Sequence, residues 1–123
     1  MPEIDQELSK VAREAVSVVF VPHLLPINRG ILSTIYVKLA KKMNTEELIK
    51  VYQKFYLEEP FVKVYAGGAL PELKHVAHTN FCDIGLRVNE QKNLAVIITA
   101  IDNLSKGAAS QAVQNMNIVL GFN

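Results

Sequence analysis

Two apolar segments joined by a short polar turn constrain the fold of this chain more than any other feature. Phe81–Val88 alternates between apolar and polar or small residues, as expected where successive side chains of a strand point to opposite faces. Leu94–Ile101 is almost entirely apolar, and the turn Asn89–Asn93 lies between the two segments. We therefore predict an antiparallel hairpin. The apolar face of its first strand carries Cys82, Ile84, Leu86 and Val88.

The remaining segments predict an α+β fold. In chain order we expect a helix over 2–15, a buried strand at Val16–Val21, a strand at Ile31–Leu39, a helix capped by Asn44 and ended by Pro60, a strand at Phe61–Tyr65, the hairpin, and a helix at Lys106–Leu120. Consecutive strand pairs favour a mixed, largely antiparallel sheet with helices on one face. No glycine-rich phosphate loop follows the first predicted strand, so the pattern is not that of a dinucleotide-binding domain.

Composition narrows the class of protein. The 123 residues suffice for one domain, 1–123, but not for a dinucleotide domain plus a substrate domain. A formal net charge of +1 gives no electrostatic reason to expect a nucleic-acid partner. No apolar segment approaches the ~20 residues that cross a bilayer, and the acidic N-terminus lacks a signal peptide's apolar core, so we expect no membrane partner. A single cysteine, Cys82, is typical of a protein of the reducing cytoplasm.

The loop at 22–30 is a candidate binding segment. It contains two prolines and a glycine, and it places His23 and Arg29 beside a predicted strand end. An arginine on such a loop can bind a carboxylate or a phosphate with two parallel hydrogen bonds. The alternative is structural: Arg29 pairs with a local Asp or Glu, and His23 bonds a backbone carbonyl.

The segment 102–117 is a second candidate. The small residues at 107–109 would let a ligand or another backbone approach the start of the last helix, whose N–H groups attract anions or carbonyl groups. In the alternative, Asp102 and Asn103 form only a turn and a cap, and the later amide side chains are solvated.

Cys82 is a weak candidate nucleophile. Its place on the apolar face predicts a buried thiol that behaves as a small hydrophobic group. His75 and His78 are expected on a surface loop, and with Cys82 they lack the spacing of a zinc site, so we expect no metal.

Three long motifs nevertheless give the chain a family resemblance. Residues 19–32 (VFVPHLLPINRGIL), 79–85 (TNFCDIG) and 100–117 (AIDNLSKGAASQAVQNMN) occur in the order found in N-acetyl-gamma-glutamyl-phosphate reductases. Pro2-Glu3-Ile4 is similar to the start of that family's substrate-domain helix. The resemblance covers essentially the whole chain and identifies it as similar to the C-terminal substrate and dimerisation domain of this family.

The resemblance implies an NADPH-dependent oxidoreductase of arginine biosynthesis. The parent enzyme would reduce N-acetylglutamyl 5-phosphate to N-acetylglutamate 5-semialdehyde through a cysteine thioester, with a histidine as acid and base. It would combine a Rossmann domain with an α+β domain like the C-terminal domain of glyceraldehyde-3-phosphate dehydrogenase. The implied partners are the small acyl phosphate, the N-terminal Rossmann domain against which helix 104–123 would pack, and further copies in a homo-oligomer.

The resemblance also implies which site residues this chain holds and which it lacks. His23 and Arg29 would bind substrate, while Asp102, Asn103, Gly107 and Gln111 would face the NADP cofactor. The family's nucleophile belongs to a Gly-Cys-Tyr-Pro segment and its acid/base histidine to a His-Arg-His segment, and neither segment is present in this sequence. We therefore expect no catalytic residue here and an inactive isolated chain. The alternative is a standalone dimerisation or binding module without redox activity.

Overall fold

The computed structural model of the chain describes residues 2–122, and within them four strands form one sheet. The strands are β1 (Ile31–Lys38), β2 (Val62–Val64), β3 (Cys82–Asn89) and β4 (Leu94–Ile101), in the spatial order β1-β4-β3-β2. The predicted hairpin is confirmed, because β3 and β4 are antiparallel and pair Cys82 with Ile101. Since β1 is antiparallel to β4 and β2 is parallel to β3, the predicted α+β class with a mixed, largely antiparallel sheet is confirmed.

The helices are short. They are α1 (Pro2–Ala12), α2 (Thr45–Phe55), α3 (Leu73–Val76) and α4 (Ser110–Leu120), with a π-helical turn at Ser105–Ala109 before α4. The first helix ends earlier than predicted, at Arg13, whose φ of 57° cannot continue it. The last predicted helix is interrupted at Ala108, where φ of −149° and ψ of −106° are not helical. The sequence did not predict α3.

One face of the sheet holds the core, which α2 covers. The predicted cap is confirmed: the Asn44 side chain accepts from the Glu47 N–H at 2.9 Å, and the Glu47 carboxylate accepts from the Asn44 N–H at 2.8 Å. The helix thereby directs Leu48 and Ile49 onto the sheet. The buried side chains of this core are Leu48, Ile49, Ile84, Leu86 and Ala95, with Cys82 and Val88 packed against them.

The strand predicted at Val16–Val21 is wrong. This segment has no regular secondary structure and is not buried, since the side chain of Val19 is 91% exposed. Its backbone is held by polar side chains of α1 instead of a neighbouring strand. Asp5 Oδ1 accepts from the Val18 N–H at 2.9 Å, and Ser9 Oγ accepts from the Val16 N–H, also at 2.9 Å. A β-branched sequence forms a strand only where a partner strand supplies the ladder.

The opposite face of β3 carries Asp83 and Gly85. A Cβ atom on Gly85 would lie 2.7 Å from Cδ of Pro71 and 2.9 Å from the carbonyl oxygen of Ala69, so the loop 69–71 rests directly on this glycine. Asp83 is buried and accepts a 2.8 Å hydrogen bond from the Tyr65 hydroxyl. Burial, this hydrogen bond and the nearby carboxylate charges raise the pKa of Tyr65 to about 12.

Within residues 2–122, exposed apolar side chains occur on β1 and α4 as well as on the segment 19–27. Among the described strands β1 lies at an edge of the sheet, paired with β4, and it presents five exposed apolar side chains: Ile31, Leu32, Ile35, Tyr36 and Val37. α4 exposes Val113, Met116, Ile118, Val119 and Leu120. Between residues 2 and 122, none of the helices is both long enough and apolar enough to span a membrane.

Candidate functional site

The two candidate segments meet where β1 begins and β4 ends. Arg29 lies just before β1, Asp102 lies just after β4, and the two are 73 residues apart in sequence. Arg29 Nη1 donates to Asp102 Oδ2 at 2.9 Å. Arg29 is therefore paired with an acidic residue, as one of the two interpretations expected, but the partner is 73 residues away and not the local Asp or Glu of that interpretation. The arginine side chain is nevertheless 32% exposed, whereas the side chain of Asp102 is fully buried.

Asp102 accepts hydrogen bonds from three backbone N–H groups as well. The His78 N–H donates to Oδ2 at 2.7 Å, while the N–H groups of Leu104 and Ser105 donate to Oδ1 at 2.7 and 3.0 Å. Burial alone would raise the pKa of Asp102, but the hydrogen bonds from His78, Arg29, Leu104 and Ser105 together lower it well below its ordinary value. Asp102 is therefore a buried carboxylate that stays ionised.

A neighbouring contact ties the same two segments together. The Gly30 N–H donates to Asn103 Oδ1 at 2.8 Å. Gly30 has a φ of 113°, a conformation that residues with a side chain rarely adopt, so the backbone there requires glycine. We call Arg29, Gly30, Asp102 and Asn103, with the backbone of His78, the Asp102 cluster.

His23 lies outside this cluster. Its ring is exposed, and Nδ1 is 3.2 Å from the Val21 carbonyl oxygen. Across residues 2–122 no hydrogen bond joins it to Arg29 or Asp102. The structure thus brings Arg29 together with Asp102 and Asn103 but leaves His23 on the outer part of the same loop.

Gly107 and Gln111 lie on the turn and helix that follow. The Gly107 N–H donates to the Asp102 carbonyl oxygen at 2.9 Å, and the space beside its Cα would admit a Cβ atom at ordinary contact distance, 3.5 Å. Gln111 is half-buried, and its Nε2 donates to Asn115 Oδ1 at 2.8 Å. The N–H groups of Leu104, Ser105 and Gly107 are thus bonded within the chain, so they do not form an open anion site.

A group of polar side chains that the sequence analysis did not single out lies beside this turn. Lys106 Nζ and Asn80 Nδ2 both donate to Gln114 Oε1, each at 2.9 Å. The Lys106 ammonium also lies 5.7 Å from the ring centroid of Phe61. Asn80 and Gln114 are 34 residues apart, and no short-range pattern links them. These contacts fix the start of α4 against the end of the sheet.

Cys82 has the surroundings of a structural thiol. It is half-buried against the core, and desolvation raises its pKa, although the charge of Lys106 opposes this shift. A protonated thiol is a poor nucleophile at neutral pH. Over residues 2–122, no group of three or more histidine, cysteine, aspartate or glutamate side chains is placed to hold a metal ion.

Comparison with known protein families and sequences gives matches over most of the chain. Residues 1–103 match the family described as semialdehyde dehydrogenase, dimerisation domain. The chain is 57% identical over 121 residues to an N-acetyl-gamma-glutamyl-phosphate reductase of Pelotomaculum thermopropionicum, covering 98% of the chain and 35% of the relative. It is 52% identical over 122 residues to the Geobacter metallireducens protein of the same name, covering 99% of the chain and 35% of that relative.

A solved structure shares the fold. Aspartate semialdehyde dehydrogenase II of Vibrio cholerae, in a crystal structure with ASA, aligns with a TM-score of 0.61 at 16% identity, over 78% of this chain and 28% of that one. At this identity the match concerns the fold alone. The chain spans about a third of the length of the curated relatives it matches.

Proposed function

This chain belongs to the semialdehyde dehydrogenase dimerisation-domain family, and we propose that it is the substrate-side and oligomer-forming part of an N-acetyl-gamma-glutamyl-phosphate reductase. The observation that carries this proposal is the 57% identity, over nearly the whole chain, to a protein of that name. The parent would convert N-acetylglutamyl 5-phosphate, NADPH and a proton to N-acetylglutamate 5-semialdehyde, NADP⁺ and phosphate in the cytoplasm.

We assign substrate recognition to the loop that carries Arg29 and His23. A guanidinium has five N–H donors, and Arg29 uses Nη1 for Asp102 while its side chain is 32% exposed. The remaining donors suit the carboxylate or phosphate of an acyl phosphate. His23 is exposed on the same loop and is proposed to meet substrate only once the rest of the enzyme is in place.

The cofactor side is proposed to be the segment from Asp102 to Gln111. Gly107 is exposed and has no side chain, so a flat nicotinamide ring could approach the backbone there. Gln111, about one helical turn after Gly107 and within α4, offers a carboxamide. Asp102 and Asn103 hold this segment from inside. NADPH, when bound, supplies the hydride, and the residues of this chain position the group that receives it.

We assign the covalent chemistry to the part of the related reductases that this chain does not cover. Cys82 is half-buried with a raised pKa, which argues against a thiolate there. We therefore propose that the 123-residue chain alone does not turn over substrate. The exposed apolar side chains of α4 would pack on a dinucleotide-binding domain, and those of β1 would contribute to a homo-oligomer.

A chimaera tests this proposal. This chain replaces the matching third of the Pelotomaculum thermopropionicum reductase, and NADPH oxidation is measured with N-acetylglutamyl 5-phosphate. We expect activity within about tenfold of the unmodified reductase, and none from the 123-residue chain alone. A folded chimaera without activity would overturn the assignment and favour a binding module without redox function. Turnover by the isolated chain would overturn the placement of the catalytic groups.

A further inference from the structure

The carboxylate of Asp102 has no acceptor capacity left for a ligand. An ionised carboxylate offers about four lone-pair sites. Here Oδ1 accepts from Leu104 and Ser105, and Oδ2 accepts from Arg29 and His78, with all four distances between 2.7 and 3.0 Å. The side chain is also fully buried. Asp102 can therefore influence ligand binding through the groups that donate hydrogen bonds to it.

Those groups come from three separate parts of the chain. Arg29 precedes β1, His78 follows α3, and Leu104 and Ser105 form the entry to the π-helical turn. In sequence, Arg29 is 73 residues and His78 is 24 residues from Asp102. One carboxylate thus links the loop proposed to bind substrate with the segment proposed to face the cofactor.

The four donors to Asp102 differ in mobility, so the most mobile one, Arg29, can respond to a bound anion. The backbone donors of Leu104, Ser105 and His78 have limited freedom, whereas the Arg29 side chain is long and 32% exposed. An anion that draws the guanidinium outward weakens the bond to Asp102 and leaves a buried charge with less compensation. A buried carboxylate with less compensation is costly, so the backbone segment bonded to it opens more readily.

We propose that Asp102 is a positioning residue that couples Arg29 to the helix entry at Leu104 and Ser105, so that occupancy of Arg29 by an anionic group alters the cofactor-side segment. The two ends of this coupling take their roles from the proposed function. The coupling itself rests on the contacts of this chain and is testable without catalysis.

The first test uses amide hydrogen exchange, followed by NMR, on the 123-residue chain. Arg29→Gln removes the cation but keeps a polar side chain, and its partial exposure favours retention of the fold. We expect the amides of Leu104 and Ser105 to exchange at least about tenfold faster in this variant. Arg87→Gln, which removes an exposed arginine elsewhere in the sheet, is the matched control and should leave both amides unchanged. Unchanged exchange at Leu104 and Ser105 in Arg29→Gln would overturn the coupling, whatever the fate of the proposed function.

The second test uses the chimaera and compares two buried carboxylates. Asp102→Asn should raise KM for the acyl phosphate and KM for NADPH by about tenfold each. Asp83→Asn alters an equally buried carboxylate that bonds Tyr65 and should leave both KM values within about twofold. In the Arg29→Gln/Asp102→Asn double variant, the acyl-phosphate effect should be smaller than the product of the single effects. If Asp102→Asn lowers stability but changes neither KM, the residue is only structural. If the unsubstituted chimaera is inactive, the proposed function fails while the exchange test still stands.

Discussion

Asp83 and Asp102 are both buried carboxylates, but their hydrogen-bond donors differ in kind. Asp102 is held by an arginine and three backbone N–H groups, whereas Asp83 receives the hydroxyl of Tyr65. His75 Nδ1 lies 3.4 Å from the same hydroxyl oxygen and can donate to it. The Tyr65 hydroxyl donates directly to Asp83. Its removal therefore leaves this buried carboxylate with one hydrogen-bond donor fewer.

We therefore predict that Tyr65→Phe lowers the free energy of unfolding by about 1–3 kcal/mol, the usual cost of leaving a buried polar group without its partner. Urea denaturation monitored by circular dichroism measures this loss. Tyr36→Phe, at an exposed tyrosine of β1, is the control and should change stability by less than about 0.5 kcal/mol.

The same tyrosine makes stability depend on pH in the alkaline range. Its pKa is about 12 in the folded chain, and about 10 in an unfolded chain. The folded state therefore holds the proton more tightly, so the stabilisation is fully present below about pH 10 and is lost as pH rises towards 12. Tyr65→Phe should lack this component, and an identical alkaline decline in both proteins would contradict it.

At the scale of elements, alternation and capping signals predicted most of the sheet and α2, because these patterns report local periodicity. The strand predicted at Val16–Val21 does not form, and the N–H groups of Val16 and Val18 are bonded instead by the side chains of Ser9 and Asp5. Hydrophobic periodicity does not reveal such contacts. The pairing of Arg29 with Asp102 could not be predicted either, as it joins residues 73 apart. The sequence did place both partners in candidate binding segments.

Gly85 shows how a strand glycine signals close packing that the sequence analysis overlooked. A Cβ atom there would overlap Pro71 Cδ at 2.7 Å and the Ala69 carbonyl oxygen at 2.9 Å. We predict that Gly85→Ala lowers the free energy of unfolding by about 1–3 kcal/mol, as overpacking does. Gly107→Ala, where the added atom meets its neighbours at 3.5 Å, is the control and should not be destabilised in the same urea titration. Equal stability of Gly85→Ala and the wild-type chain would contradict this prediction and show that loop 69–71 moves away from the added methyl group at little energetic cost.

For the whole molecule, the exposed apolar strand β1 favours self-association. An edge strand with apolar side chains tends to pair or pack with another chain. Tyr36, 67% exposed, is at the middle of this surface. We predict that Tyr36→Lys raises the dissociation constant for self-association at least about tenfold in analytical ultracentrifugation. Val51→Lys, at an exposed position of α2, should leave it unchanged. Equal association of both variants would place the contact elsewhere.

The substrate preference of the chimaera in the reverse direction shows whether this chain determines recognition of the N-acetylglutamyl group. N-acetylglutamate 5-semialdehyde and aspartate semialdehyde are each supplied with NADP⁺ and phosphate, and NADPH formation gives kcat/KM for both aldehydes. If this chain is the substrate side of an N-acetyl-gamma-glutamyl-phosphate reductase, kcat/KM favours N-acetylglutamate 5-semialdehyde by at least about a hundredfold, and Arg29→Gln reduces that preference. An active chimaera that shows no preference, or prefers aspartate semialdehyde, would contradict the assignment of this chain to the substrate side of such a reductase.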